Sequence, residues 1–292
     1  MTRVVGIVVH PEKEEAKTVA LEVIAWLRDF RSGTEPIDVM LDAQSALRLN
    51  LPENACPPDG WVGVEFIISL GGDGTILTAA RSAAAAGIPI LGVHMGRFGF
   101  IAETHPGDLY PHLEQILEGD MRLEERIMVR ADIYRDSNCV SSQTGLNDAL
   151  VKSRASQLLH IRTRLAFAEF ATYPADGIIV STPTGSTAYS LSAGGPLVSP
   201  TVNALVITPI CPHTLSARPM VVPAEETVEI EIETESGDVV CVVDGVQPFP
   251  ILNGDKIVIQ RAQCVTRLIV LDHATFYRKV RDRYLYGERL ND

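Results

Sequence analysis

The chain opens with an unbroken apolar run, "RVVGIVVH" at 3–10, followed across 13–31 by Ala16, Val19, Leu21, Val23, Ile24, Leu27 and Phe30 at roughly helical spacing. A buried strand and an amphipathic helix are predicted. The alternation then repeats. "EFIISL" (65–70) reads as a strand, "TILTAARSAAAAG" (75–87) as an alanine-rich helix closed by Gly87, and "IPILGVH" (88–94) as another strand. Strands apolar at every position with helices between them predict a parallel sheet covered on both faces.

Beyond about residue 120 the period shortens. "IMVRADIYR", "LHIRTRLAFAEFATY", "GIIVSTP", "ALVITPI", "TVEIEIET", "DVVCVVDG", "DKIVIQRA" and "VTRLIVLD" are short alternating or apolar runs separated by turn formers. They predict a β-rich second domain. Residues 274–288 read as a helix with a stripe at Phe276, Val280 and Tyr284, expected to pack back on the body of the protein. The expected layout is an α/β domain over 1–120, a β-rich domain over 121–273, and a C-terminal helix over 274–292 returning to the N-terminal domain.

Composition narrows the function. With 25 Lys and Arg against 37 Asp and Glu, the net charge of −12 repels nucleic acid and anionic membranes at long range. An anionic small ligand then needs local backbone N–H groups, a metal ion or a few placed cations. The five cysteines, Cys56, Cys139, Cys211, Cys241 and Cys264, are far apart and form no CxxC pair, so neither a disulfide framework nor a zinc site is expected. A reducing cytoplasm fits best. The N-terminal "MTRVVGIVVHPEK" lacks a signal peptide's longer apolar core and cleavage site, and no segment approaches about 20 apolar residues, so neither a signal peptide nor a membrane span is expected.

Five stretches carry candidate chemistry. "GGDGT" (71–75) follows a strand and opens a helix, where glycine loops cradle phosphate. A turn explains a bare GGDG equally well, but Asp73 places a like charge where phosphate would sit. "GVHMGRFGFIAE" (92–103) follows the next strand and supplies a second glycine-rich wall with Arg97. In "TGLNDALV" (144–151) the polar pair Asn147 and Asp148 interrupts a strand, and unpaired burial would cost a few kcal/mol. An amide beside a carboxylate suits ribose hydroxyls or a base edge. "ADGIIVSTPTGSTAYSLSAGGPLVSP" (175–200) holds eight hydroxyl residues between Ser181 and Ser192, more than turns and caps require, which favours a polar, nucleotide-sized ligand. In "PICPHTLSARPMVVP" and "VVDGVQ", His213, Arg218 and Gln247 are open to structural or ligand roles.

Together these stretches, in order and spacing, resemble the NAD kinase family over nearly the whole chain. "GGDGT" is shared with lipid kinases and phosphofructokinases; the hydroxyl-rich segment makes the likeness specific. The resemblance implies a Rossmann-like α/β domain of the GGDGT kinase superfamily plus a β-rich C-terminal domain, and transfer of phosphate from ATP or another donor to the 2′-hydroxyl of the adenosine ribose of NAD. It implies Asp73 as proton acceptor, with Gly71, Gly72, Gly74 and Thr75 forming the phosphate loop. Asn147 and Asp148 would lie on the adenosine side and Asp176 near the nicotinamide end. Thr187, Ala188, Tyr189, Ser190, Leu191 and Ser192 would line the dinucleotide pocket, and Gln247 and His160 match further contact positions. Mg²⁺ or Mn²⁺ is expected on the donor phosphates rather than in a protein metal site, and a homodimer or homotetramer is expected in the cytoplasm.

Three positions depart from the family pattern. Asp148 replaces a glutamate, shortening the reach by one methylene. His94 stands for a common asparagine, and Pro174 for an arginine found in many bacterial members, which bears on regulation and product binding more than on catalysis. A lipid or sugar kinase and a catalytically silent NAD(P)-binding regulator are the alternatives.

Overall fold

The structure, a computed structural model, describes residues 3–30, 36–58, 60–96, 99–154, 158–166, 168–233, 238–271 and 275–284. It divides into two compact units, Met1–Glu125 with Thr266–Asp292, and Arg126–Val265.

The first unit alternates β1 (Arg3–Val9), α1 (Glu14–Asp29), β2 (Ile37–Leu41), α2 (Ala43–Leu49), β3 (Val64–Gly71), α3 (Asp73–Ala83), β4 (Ile90–His94) and α4 (Leu109–Leu117). The strands are parallel in the order β2-β1-β3-β4. Every residue of β4 is buried, as expected for strands sandwiched between helices. α1 buries Ala16, Val19, Ala20, Val23, Ile24 and Leu27 and carries Glu14 and Glu15 in its first turn and Arg28 in its last, which complements its dipole. Leu21, counted in the apolar stripe of the sequence, is exposed, because it falls on the far side of the helix from that face. β2, α2 and α4 lie in stretches to which the apolar pattern assigns no element. Five, seven and nine residues are too few to display a clear period.

The chain continues through β5 (Leu123–Arg135), β6 (Asn138–Gly145), β7 (Asp148–Ser153), β8 (Leu159–Leu165), β9 (Ala168–Ala175), β10 (Gly177–Ser181), α5 (Tyr189–Ser192), β11 (Ala204–Ile210), β12 (Met220–Pro223), β13 (Val228–Glu233), β14 (Val239–Val243), β15 (Val246–Ile251), β16 (Lys256–Ile269) and α6 (Thr275–Tyr284). In the second unit β16, β13, β8 and β9 pair antiparallel in that order, and a six-stranded antiparallel sheet runs β12-β11-β10-β7-β14-β15. Residues from both sheets, among them Val151, Ile161, Val180, Ile207, Ile230 and Ile257, form one core. The runs "DKIVIQRA" and "VTRLIVLD" merge into the single strand β16, since no Gly, Pro, Asn or Asp breaks the chain between Lys256 and Ile269. From Thr266 onward β16 belongs to the first unit, where Leu268 pairs with Ile90 of β4.

All five cysteines are free, and burial pushes the Cys241 thiol up to about 12. Among the described residues no helix is long and apolar enough to cross a membrane. In the predicted C-terminal helix, Phe276 and Val280 lie within α6, while residues 285–288 and the Tyr284 side chain lie outside the described set.

Candidate active site

Parallel pairing brings three loops of the first unit to one sheet edge. Val9 lies opposite Leu70 and Gly71 opposite His94, so the segments after β1, β3 and β4 emerge together. Asp73 is the first residue of α3, at the carboxyl edge where open α/β sheets bind ligands. Its carboxylate is held from the neighbouring loop: Oδ2 accepts the Phe100 N–H at 2.8 Å and Oδ1 the Ile101 N–H at 3.2 Å. Gly99 makes that approach possible, since a Cβ there would overlap the carboxylate. Met95 anchors the start of the same loop, donating to Gly71 O at 2.6 Å and accepting from Lys13 Nζ at 2.7 Å. Asp73 is half-buried, Gly74 is exposed and Thr75 is buried.

Beside the loop lies a pocket of about 290 Å³ lined by Gly72, Gly74 and Thr75 and, across from them, by His10, Lys13 and Gln44. His10 Nδ1 accepts the N–H groups of Glu12 and Lys13, and burial with the Lys13 charge keeps the ring below its ordinary pKa. His94 is also held below its ordinary value, chiefly by burial, and its Nδ1 lies 3.2 Å from Gly96 O. Arg97 lies outside the described residues.

A second constellation forms at one end of the six-stranded sheet. β7 lies between β10 and β14, with Asp148 opposite Ser181 and Ala149 opposite Val243. Asn147, Asp148, Thr182 and Asp244 therefore share a sheet end. Asp244 and Gly245 both have positive φ, 49° and 70°, as the two central residues of a type I′ hairpin turn require. From that turn the Asp244 carboxylate accepts three consecutive N–H groups: Leu146 at 2.7 Å, Asn147 at 2.8 Å and Asp148 at 3.2 Å. Thr182 fixes the other side, its hydroxyl donating to Leu146 O at 2.6 Å and its N–H to Asn147 O at 2.8 Å. Gly185 crosses so close to the Asn147 carbonyl that a Cβ would collide with it.

The backbone of Asn147 is thus pinned on both sides, while its side-chain Oδ1 is buried without a hydrogen-bond partner. Such an acceptor costs about 1–3 kcal/mol while unpaired and gains most from an incoming donor. Asp148 is 7% exposed, and its carboxyl is pushed up to about 7, first by burial and then by the Asp244 charge.

The hydroxyl-rich segment spends much of its polarity on itself. Ser186 bonds Pro183 O and Val198 N, Ser190 bonds Thr208, and Ser181, Thr182 and Thr184 are buried as well. Thr187, Ala188, Tyr189, Leu191 and Ser192 retain accessible surface. Gln247 is exposed on β15, next to Val246, which pairs with Val243 at the same sheet end.

Other candidates stand apart from this end. Asp176 precedes β10, so the five residues of that strand, about 16 Å at the usual rise, separate it from Ser181 and Asp148. His160 lies on β8, opposite Pro174, in a groove of about 270 Å³ shared with Arg162, Glu233 and Asp255. Arg218 donates to Leu215 O and Ala217 O, and the His213 N–H donates to Pro174 O. Asp244, Thr182, and the Phe100 and Ile101 N–H groups are not among the individually predicted site residues, although Thr182 lies in the hydroxyl-rich segment and Phe100 and Ile101 lie in the second glycine-rich wall.

Two family models match the chain, the ATP-NAD kinase N-terminal domain over residues 5–121 and the ATP-NAD kinase C-terminal domain over residues 146–271. The chain belongs to the ATP-NAD kinase family. Among its relatives, the NAD kinase of Moorella thermoacetica is 41% identical, covering 99% of this chain and 91% of its own. The NAD kinase of Heliobacterium modesticaldum is 40% identical, covering 97% and 99%. Among solved structures, yeast NADH kinase complexed with NADH matches at 25% identity with a TM-score of 0.89, covering 100% of this chain and 90% of that one. An NAD kinase from Archaeoglobus fulgidus in complex with ATP shares the fold, with a TM-score of 0.69 at 24% identity, covering 98% of each chain. Among the family's expected site residues, Gly72, Asp73, Gly74 and Thr75 gather at one sheet edge, and Asn147, Asp148 and Gln247 at one end of another sheet.

Proposed function

We propose that the protein is an NAD kinase, transferring the γ-phosphoryl group of ATP to the 2′-hydroxyl of the adenosine ribose of NAD to give NADP. The observation that carries this reading is the Asp73 carboxylate, half-buried at the first residue of α3 beside a pocket and aimed by two backbone N–H groups. A loop that only held phosphate would gain nothing from a negative charge there. A loop that delivers phosphate to a hydroxyl needs a proton acceptor.

In the proposed step the ribose oxygen bonds to the γ-phosphorus as its proton passes to Asp73. The bond to the bridging oxygen breaks and ADP leaves. General-base help of this kind supplies roughly 10²- to 10⁴-fold. The remainder comes from alignment and from N–H groups at the start of α3 facing the transferring phosphate. Among the described residues no group of three His, Cys, Asp or Glu is placed to hold a metal. A Mg²⁺ or Mn²⁺ ion is expected on the donor phosphates, where it would offset the repulsion between donor and Asp73.

On the acceptor side, the unpartnered Asn147 Oδ1 suits the amino group of adenine, and Asp148 suits a neighbouring base or ribose donor. Thr187, Ala188, Tyr189, Leu191 and Ser192 offer surface to the dinucleotide, with Ser190 supporting them from beneath. The separation of Asp176 from Asp148 suits it to the nicotinamide end, or to the NAD of a second copy in the homodimer or homotetramer we also propose. Five unpaired cysteines accord with a cytoplasmic site of action.

The test is NADP and NADPH formation by the purified protein from NAD or NADH, with ATP or polyphosphate and Mg²⁺ or Mn²⁺. Asp73→Asn is expected to lose most turnover and to keep NAD binding. Wild-type turnover in that variant would remove Asp73 from the mechanism.

A further inference from the structure

α6 supplies a buried cation to the loop that holds Asp73. The Lys279 side chain is 9% exposed, and its ammonium donates to Phe100 O at 3.2 Å, Ala102 O at 2.6 Å and Glu103 Oε1 at 3.3 Å. Glu103, 7% exposed, also accepts the Leu271 N–H at 3.4 Å, so the carboxylate facing the cation is itself tied down.

The Phe100 carbonyl and the Ile101 N–H are the two ends of one peptide group. That group is planar and trans, so its C=O and N–H point in opposite directions. One end meets Lys279 and the other meets Asp73 Oδ1. A cation on the carbonyl fixes the tilt of the plane and polarises its N–H, which strengthens the bond on the far side. Phe100 is approached a second time from the same helix, with the Arg283 guanidinium 5.1 Å from its ring centroid. Phe100 is also the residue whose N–H bonds Asp73 Oδ2.

We infer that Lys279 is a positioning residue for phosphoryl transfer, setting through the Phe100–Ile101 peptide the Ile101 N–H that holds Asp73 Oδ1, and fixing Phe100, whose own N–H holds Oδ2. This rests on Asp73 as the proton acceptor. A purely structural role would have Lys279 do no more than neutralise Glu103 and seat α6.

Steady-state kinetics of the full-length protein separate the two. Lys279→Met is expected to lower kcat about 10- to 100-fold with the KM for NAD within about twofold, because misplacing a group used only in the transition state costs turnover rather than substrate binding. Since Lys279→Met leaves Glu103 buried without its cation, the double variant Lys279→Met/Glu103→Gln is measured alongside it, with melting temperatures for all variants. Persistently low kcat in the folded double variant supports positioning. Recovery of wild-type kcat in the double variant, or unchanged kcat with a raised KM in the single one, overturns it. If Asp73→Asn is inactive while Lys279→Met is fully active, this inference fails alone; if Asp73→Asn turns over normally, the proton-acceptor reading fails with it.

Discussion

Asp73 in the first unit and Asp244 in the second solve a similar problem and end in different states. Each carboxylate is gripped by backbone N–H groups from a distant stretch of chain, two in the first case and three in the second. Asp73 accepts one N–H on each oxygen, and its neighbours Gly72 and Gly74 line a pocket; Asp244 accepts three, from consecutive residues of one loop. The third aspartate, Asp148, is buried next to the Asp244 charge, and its proton is retained to about pH 7. The same functional group is thus the proposed proton acceptor, a tether or a near-neutral acid according to how many N–H groups, how much water and which charges reach it. The contrast accords with the proposal that Asp73 serves chemistry, and gives Asp244 an architectural place.

The largest expected effect falls on Asp73: Asn in its place should lower kcat roughly 10²- to 10⁴-fold, with little change in the KM for NAD. Next is Gly99→Ala, whose Cβ would push against the carboxylate. A displacement on the order of 1 Å should cost up to about 10²-fold in kcat, and a variant with normal kcat would show that the two N–H bonds do not aim the base. Asp244→Ala should act on stability and acceptor binding instead. Leaving three N–H groups without their acceptor should cost at least about 3 kcal/mol, read as a lower melting temperature, and should raise the KM for NAD with little change in kcat. Asp244→Asn, which keeps one acceptor oxygen, should fall between. If Asp244→Ala lowers kcat and leaves the melting temperature alone, the division of labour between the two aspartates is wrong.

The smallest effect is pH-dependent. Because the native state holds the Asp148 carboxyl near 7 against an ordinary value of 3.8, it retains a proton that the unfolded chain releases. The stabilising contribution is fully present below the unfolded pKa and is lost progressively as pH rises from there through about 7. Asp148→Asn, carrying no titrating group, should match the wild type more closely at pH 5 and exceed it in melting temperature at pH 8. Parallel melting curves from pH 5 to 8 would mean that Asp148 ionises as an ordinary carboxylate.

The strand, glycine loop and helix around Asp73 are legible because the signal is local: "FIISLGGDGTIL" carries an apolar run, its break and a helix start within twelve residues. The N–H groups that hold the carboxylate come from 27 and 28 positions further on; the strand-loop pattern puts their loop beside "GGDGT" but does not say which of its residues meet Asp73. The Asp-Gly turn is equally legible, whereas its three partners nearly a hundred positions earlier are not. The hydroxyl-rich segment misleads in proportion: hydroxyls that turn and cap their own loop have the same spelling as hydroxyls that face a ligand. Ser186 and Ser190 separate from Tyr189 and Ser192 only once the loop is folded.

The hairpin tip at Asp244–Gly245 has a practical consequence. Hairpin tips are ordinarily the places where a chain accepts a tag, an inserted loop or relocated termini. Here the tip is also the anchor for residues 146–148, so lengthening it would release a segment a hundred positions away. Anyone splicing a reporter into this protein should avoid a site that, judged by exposure alone, looks among the safest.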